Sequence, residues 1–548
     1  MSNKLRARLT DVGGGLSSKV NGDLGEGLVQ MFATSQQALA GERRSEEQVS
    51  RVIERFLGTT RTSSNVDLDV ITANFGSSGI PEEPSDFNEY LGYLADSVVA
   101  HSVNSASPRF IGHMVSALPF FVRPLGRLMV AINQNLVKVE TSKAFSPFER
   151  QTLAWMHRLV YCFSDDFYLK HTQDRESTLG ILVSGGTLAN VTALWCARNK
   201  SLGPKDGFEG VEKEGLARAL RHYGYKDAVI VGSSFMHYSL EKAACVLGLG
   251  SSGLIKVAVD TRNRINVKEL QEALSRCRAE NRLVLALVGI AGTTDTGSID
   301  PLVDLAGLAR ENGTHFHVDA AWGGPLLFSK SHRVKLNGID LADSVTIDGH
   351  KQMYLPMGTG IVVLRDPKMA EVIEKQARYI VRAGSWDLGK RALEGSRPAM
   401  ALFLHAAMTV FGRRGYGVLI DEGIRKTQYM AAAIRERAEF ELLAEPEMNI
   451  LAYRYIPDHL VEKTRRLELT DSDNLLLNKI NRDLQRTQRN AGCSFVSRTT
   501  LDSTVYPKGV PIVALRVVIA NPLTAETDID AILNEQIQIA SDVSHQPN

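Results

Sequence analysis

The sequence predicts an α/β protein: a mostly parallel, seven-stranded sheet covered on both faces, with an N-terminal helical segment and a small C-terminal α+β domain. Three observations predict it. Short apolar, β-branched runs alternate with helical stretches from about residue 115 onward, as strands buried on both faces require. That rhythm stops near Arg365-Asp366-Pro367, and the last third has a different spacing.

The first seventy or so positions are polar, with Gly13-Gly14-Gly15 and helical patterns around Gly25–Leu39 and Glu46–Phe56, and they read as a loosely attached arm. After the Pro81–Pro84 break an amphipathic helix is expected from Phe87 to about Val103. It should end before Ser107-Pro108, because a residue preceding proline resists the helical region. The expected strands of the large sheet are Leu179–Ser184, Ala228–Gly232, Ile255–Val259, Leu283–Ile290, His315–Val318, Ser344–Ile347 and Gly360–Leu364. Helices fit between them at Ala189–Arg198, Leu240–Leu247, Val267–Cys277 and Leu302–Asn312. A helical region follows, then strands near Ile450–Tyr455, Cys493–Arg498 and Ile512–Ile519 and a helix from about Thr527. The expected boundaries are 1–114 for the N-terminal segment, 115–395 for the large domain and 396–548 for the small one.

Among 548 residues, 63 Lys plus Arg balance 62 Asp plus Glu, which offers no global attraction for nucleic acid or an anionic membrane. The five cysteines are scattered without a Cys-x-x-Cys pair, so neither a structural zinc site nor a disulfide framework is expected, and a reducing compartment is. The longest apolar run, Leu283 to Gly292, is about half of what a membrane span needs. The Gly-rich stretch after Lys4, Arg6 and Arg8 is no signal-peptide core. A soluble, cytoplasmic protein is expected, with no metal.

Chemistry concentrates at Ser344-Val-Thr-Ile-Asp-Gly-His350-Lys351, where a lysine follows a buried strand at the end where open α/β sheets bind ligands. Taken alone it is an ordinary surface lysine; desolvated, its amine becomes a nucleophile suited to a Schiff base. Three companions favour the second reading. Asp319, at the end of an apolar strand, needs a cationic partner, and the protonated ring nitrogen of pyridoxal phosphate is one. Ala321, two residues on, is small enough to let that ring approach. The turn Ser184-Gly185-Gly186-Thr187 opens a helix, so backbone N–H groups, the helix dipole and two hydroxyls suit a phosphate. His237 sits between a strand and a helix and can stack on the ring opposite Ala321. Each companion in isolation has an ordinary structural explanation.

In this order the motifs resemble the group II pyridoxal-dependent decarboxylases, over roughly residues 85 to 535. The resemblance implies the aspartate aminotransferase type of fold (fold type I) and a homodimer with shared active sites. It implies that Lys351 forms the Schiff base, Asp319 pairs with the ring nitrogen and His237 stacks. His350 and the Gly185-Gly186-Thr187 turn would hold the phosphate, and Thr294 matches another cofactor-pocket position. Arg516, in Ala514-Leu-Arg-Val-Val-Ile-Ala-Asn-Pro522, resembles the arginine that grips a substrate carboxylate; the alternative is an ion pair within the small domain. Phe110 and His113 match a pocket-lining segment.

The family's mobile loop is shorter here and its proton-donating tyrosine has no direct match; Tyr379 and Tyr354 are the available substitutes. Asp348-Gly-His-Lys-Gln-Met-Tyr-Leu-Pro-Met357 and Leu393-Glu-Gly-Ser-Arg397 resemble the bacterial branch that decarboxylates aspartate to β-alanine for pantothenate synthesis. Tyrosine decarboxylases share part of the second segment. Glutamate, tyrosine or another aromatic amino acid is therefore the alternative substrate, and an aldehyde lyase or aminotransferase of the same fold the alternative reaction. A non-catalytic scaffold is the reading from a different class.

Overall fold

A computed structural model describes residues 28–29, 31–32, 36–377, 384–502 and 511–544. Contacts divide the chain into two compact units, Met1–Ser107 with Arg489–Ser494, and Pro108–Gln488 with Phe495–Asn548.

In the first unit the helix Gln36–Leu57 contains the expected Glu46–Phe56 pattern, while part of the expected Gly25–Leu39 pattern lies outside the described residues. Gly41 lies inside it at a half-buried position where an added Cβ would meet nothing within 4 Å, and a single glycine weakens a helix without breaking it. The helix Phe87–Ser97 is capped by Asp86, whose side chain accepts from the Asn88 and Glu89 amides. It stops short of Val103: the β-branched pair Val98-Val99 follows, and the chain tightens into a 3-10 turn at Val99–His101. Thr62 N–H donates to the Gly492 carbonyl at 2.9 Å, holding the two sequence segments of this unit together.

The second unit contains both sheets. The large one comprises β1 (Gly180–Val183), β2 (Asp227–Ser233), β3 (Leu254–Val257), β4 (Arg282–Ile290), β5 (His315–Asp319), β6 (Ser344–Asp348) and β7 (Gly360–Leu364). Their order is β1-β7-β6-β5-β4-β2-β3. Strands β3, β2, β4, β5 and β6 are parallel, while β7 runs antiparallel to both β6 and β1. Every residue of β5, β6 and β7 is buried; β7 is an unbroken apolar run, whereas β5 and β6 also bury the polar His315, His317, Asp319, Ser344, Thr346 and Asp348.

Alternation along the strands supplies two cores. Ile230, Ala286 and Val288 pack with Leu194, Leu240 and Ala244 of the helices Gly186–Ser201 and Tyr238–Val246. Val229, Val231 and Leu287 face the other way, toward Leu270, Leu274 and Leu305 of the helices Val267–Ala279 and Leu302–Glu311. Gly360 marks a close approach: a Cβ there would collide with the Gly185 backbone, so β7 supports the turn that follows β1.

The small sheet is antiparallel in the order β10-β11-β9-β8, from β8 (Phe440–Leu442), β9 (Ile450–Tyr455), β10 (Ser497–Leu501) and β11 (Ile512–Val518). The strand expected at Cys493–Arg498 begins only at Ser497, because Phe495 pairs instead with the segment through Phe110. No helix among the described residues is long and apolar enough to cross a membrane.

Candidate active site

At the carboxyl ends of the parallel strands lies a cavity of about 340 Å³. All ten residues expected around the cofactor line it: Ser184, Gly185, Gly186, Thr187, His237, Thr294, Asp319, Ala321, His350 and Lys351. The sheet explains the convergence. β1 delivers the glycine turn, β2 leads to His237, and β5 and β6 end on Asp319 and Asp348.

The helix Gly186–Ser201 starts within the glycine turn, so its first amide groups have no intrahelical partner. A Cβ on Gly186 would come within 2.7 Å of Asp348 Oδ2, which closes this position to larger residues. Ser184 N–H donates to Glu394 Oε2 at 3.2 Å.

His237 is the N-cap of the helix Tyr238–Val246, and its Nδ1 accepts the Ser239 amide at 3.3 Å. An accepting Nδ1 leaves the proton of the neutral ring on Nε2. Burial lowers the pKa of this imidazole, opposed by the Asp319 carboxylate and reinforced by Lys351.

Asp319 is buried and accepts from Asn190 Nδ2 at 2.8 Å and from Ala321 N–H at 3.1 Å. Lys351 Nζ lies 3.2 Å from Asp348 Oδ2, and His350 Nε2 lies 3.6 Å from the same oxygen. Two buried atoms here, His350 Nδ1 and Asp348 Oδ1, have no hydrogen-bond partner. Burial lowers the His350 pKa, partly offset by Asp348.

Arg516 sits on β11 and is 6% exposed. Its Nε donates to the Thr294 carbonyl at 2.5 Å, and its Nη1 to Ser497 Oγ at 3.2 Å and the Gly112 carbonyl at 3.4 Å. Its Nη2 is buried without a partner. Burial pushes this guanidinium down to about 10, with Asp295 opposing. His113 is exposed, yet partial desolvation lowers its pKa, and the positive charges of Arg516, Lys351 and His350 add to that shift.

None of Phe110, His113 and Arg516 lines this cavity itself; the Phe110 ring stacks on Phe495 with centroids 5.0 Å apart. Tyr354 is buried and donates its hydroxyl to the Ala520 carbonyl at 3.0 Å. Burial raises its pKa, and because its hydroxyl is committed to Ala520 and it does not line the cavity, it is not placed as a proton donor there. Tyr379 lies outside the described residues.

Sequence reading missed Asn190, Ser239 and Asp348, all of which line the cavity. Asn190 follows Gly186 by four positions, so helical periodicity places it over the glycine turn, and that spacing was its only signal.

Residues 76–456 match the pyridoxal-dependent decarboxylase conserved domain, and the chain belongs to that family. It is a pyridoxal-phosphate-dependent carboxy-lyase that removes the carboxylate of an amino acid. The chain is 45% identical to an aspartate 1-decarboxylase of Aliivibrio fischeri over 94% of its own length and 94% of that protein. An L-2,4-diaminobutyrate decarboxylase of Rhizobium meliloti is 29% identical over 81% of this chain and 83% of its own. The crystal structure of mouse CSAD in apo form superimposes with a TM-score of 0.79 at 23% identity, covering 92% of this chain and all of that one (100%), and so shares the fold.

Proposed function

We propose that this decarboxylase acts on an acidic amino acid, L-aspartate, releasing carbon dioxide and β-alanine. The observation that carries the proposal is the unpartnered Nη2 of Arg516, a buried donor that no carboxylate of the described residues satisfies. An unsatisfied buried donor costs about 1–3 kcal/mol, more when it is charged, and a substrate side-chain carboxylate removes that cost. The name of the 45% identical relative points the same way.

The side chains around the cavity fit pyridoxal phosphate. Asp319 accepts two hydrogen bonds and retains lone pairs for a cationic ring nitrogen. The glycine turn excludes a Cβ, and His350 Nδ1 awaits a partner. Lys351 would hold the cofactor covalently through Nζ, with Asp319 at the ring nitrogen and His237 and Ala321 on opposite faces. Ser184, Gly185, Gly186, Thr187 and His350 would hold the phosphate, beside Thr294. When bound, the cofactor withdraws the electron pair left behind by departing carbon dioxide.

The chain's own contribution is orientation. Arg516, fixed by three hydrogen bonds, would hold the side-chain carboxylate, and this fixes where the α-carboxylate lies. The positive charge of Arg516 favours a substrate with a second carboxylate. Tyr379 is the proposed donor of the proton returned to Cα.

A cytoplasmic homodimer with shared sites completes the reading. Exposed Phe75, Ile80, Phe87 and Tyr90 in the first unit, and Phe120, Leu128 and Val130 in the second, support burial against a second copy.

Carbon dioxide and product amine, measured with aspartate, glutamate, tyrosine and 2,4-diaminobutyrate, test the proposal. Aspartate should be turned over with the highest kcat/KM; preference for any of the other three overturns it.

A further inference from the structure

Asp319 ends β5 and His237 caps the helix after β2, yet one buried side chain connects them. Asn190 is 1% exposed, and its Nδ2 donates to Asp319 Oδ2 at 2.8 Å and to Ser239 Oγ at 3.0 Å. A carboxylate oxygen can only accept, so the amide orientation is fixed: the reverse would set two acceptors against each other. Every direction in the surrounding network then follows.

On one arm, Asn190 Oδ1 accepts from His317 Nε2 at 3.0 Å. His317 Nδ1 therefore accepts a hydrogen bond from the Ser344 hydroxyl at 2.8 Å, and Ser344 Oγ accepts from His315 Nε2 at 2.7 Å. Burial pushes His317 down to about 4 and His315 to about 3, so both rings are neutral, with one donor and one acceptor nitrogen each. On the other arm, Ser239 Oγ has accepted from Asn190 and donates to His237 Nδ1 at 2.9 Å. That nitrogen also accepts the Ser239 amide, which keeps the His237 proton on Nε2.

We propose that Asn190 is a positioning residue that joins Asp319 and His237 in one directional hydrogen-bonded frame, anchored through His317 and Ser344. The frame fixes together the carboxylate at the ring's nitrogen edge and the imidazole on its face, and it rests on the cofactor placement given under Proposed function. Backbone structure alone would hold neither side chain: Asp319 has a single local bond, to Ala321 N–H, and His237 only its cap. Loss of Asn190 leaves His317 Nε2–H and one Asp319 oxygen without partners in a buried site, a costly state.

The test uses full-length protein and pyridoxal phosphate. Asn190→Ala should raise the cofactor Kd roughly tenfold or more and alter the visible circular dichroism of bound cofactor, which reports ring orientation. It should lower kcat more than it changes KM. His317→Leu should act in the same direction, and His317→Gln, which keeps an N–H donor, should recover part of the loss. The Asn190→Ala/His317→Leu double variant should lose less than the sum of the singles. Unchanged cofactor affinity and circular dichroism in Asn190→Ala, or additive losses in the double variant, overturn the proposal. If Asn190→Ala does not fold, the His317 pair decides: equal behaviour of Leu and Gln overturns it. Failure of the unsubstituted protein to bind cofactor overturns the underlying placement instead, so the two failures are distinguishable.

Discussion

Lys351 Nζ lies 3.2 Å from Asp348 Oδ2, so without cofactor the reactive amine is held by a buried carboxylate three residues earlier. Asp348→Asn removes the counter-charge. It should destabilise the cofactor-free protein by about 1–3 kcal/mol. With cofactor bound, Lys351 gains a covalent partner and the loss should be smaller. Urea unfolding with and without pyridoxal phosphate measures both; equal losses would argue against the pairing.

Arg516 supplies a planar donor set that lysine cannot reproduce. Arg516→Lys should lower kcat/KM for aspartate by about 3 kcal/mol of transition-state stabilisation, on the order of a hundredfold. Cofactor affinity should stay near that of the unsubstituted enzyme. A variant that loses cofactor in parallel with activity would place Arg516 in a structural role.

Gly186→Ala puts a Cβ 2.7 Å from Asp348 Oδ2. Asp348 must then shift and take Lys351 with it. Weaker cofactor binding by roughly tenfold, of the order of 1–2 kcal/mol of strain, is expected by fluorescence titration. Wild-type affinity would mean that the turn tolerates a side chain.

His157 tests pH dependence away from the cavity. Burial pushes its pKa down to about 3, and its nitrogens bond Tyr168 Oη at 2.9 Å and the Leu364 carbonyl at 3.1 Å. Below about 6.5 the unfolded chain takes up a proton at this position while the folded protein does not. Stability should therefore fall as pH drops from about 6.5 toward 3, at up to about 1.4 kcal/mol per pH unit from this group. His157→Gln should reduce that slope in denaturant titrations between pH 6.5 and 4.5; an unchanged slope refutes the assignment.

The large sheet was legible because strands buried on both faces leave continuous apolar runs, as in β1, β4 and β7, and the shorter β5 and β6 each end in a carboxylate. The small sheet was less so. β8 has only three residues, and the apolar run expected as a strand from Cys493 is diverted at Phe495 into pairing with Phe110, a partner 385 positions away. That pairing also explains why Phe110 stacks on Phe495 and does not face the cavity. Asn190 and His317 escaped notice because a polar residue inside a helix or strand has no local mark of its partners. Only the packing of the helix Gly186–Ser201 beside β5 brings them to 3.0 Å.

Gly360 carries a consequence for how this enzyme can change. The space beside it admits the Gly185 backbone and nothing more, so the phosphate turn and the strand after Lys351 form one joint. Arg516 lies on another sheet and meets the cavity through Thr294. Under the proposed assignments, inherited variation in β7 is tightly restricted, because it disturbs cofactor capture and lysine placement together. Arg516 stands apart from that joint, so a change of substrate preference at this position can leave the decarboxylating chemistry in place.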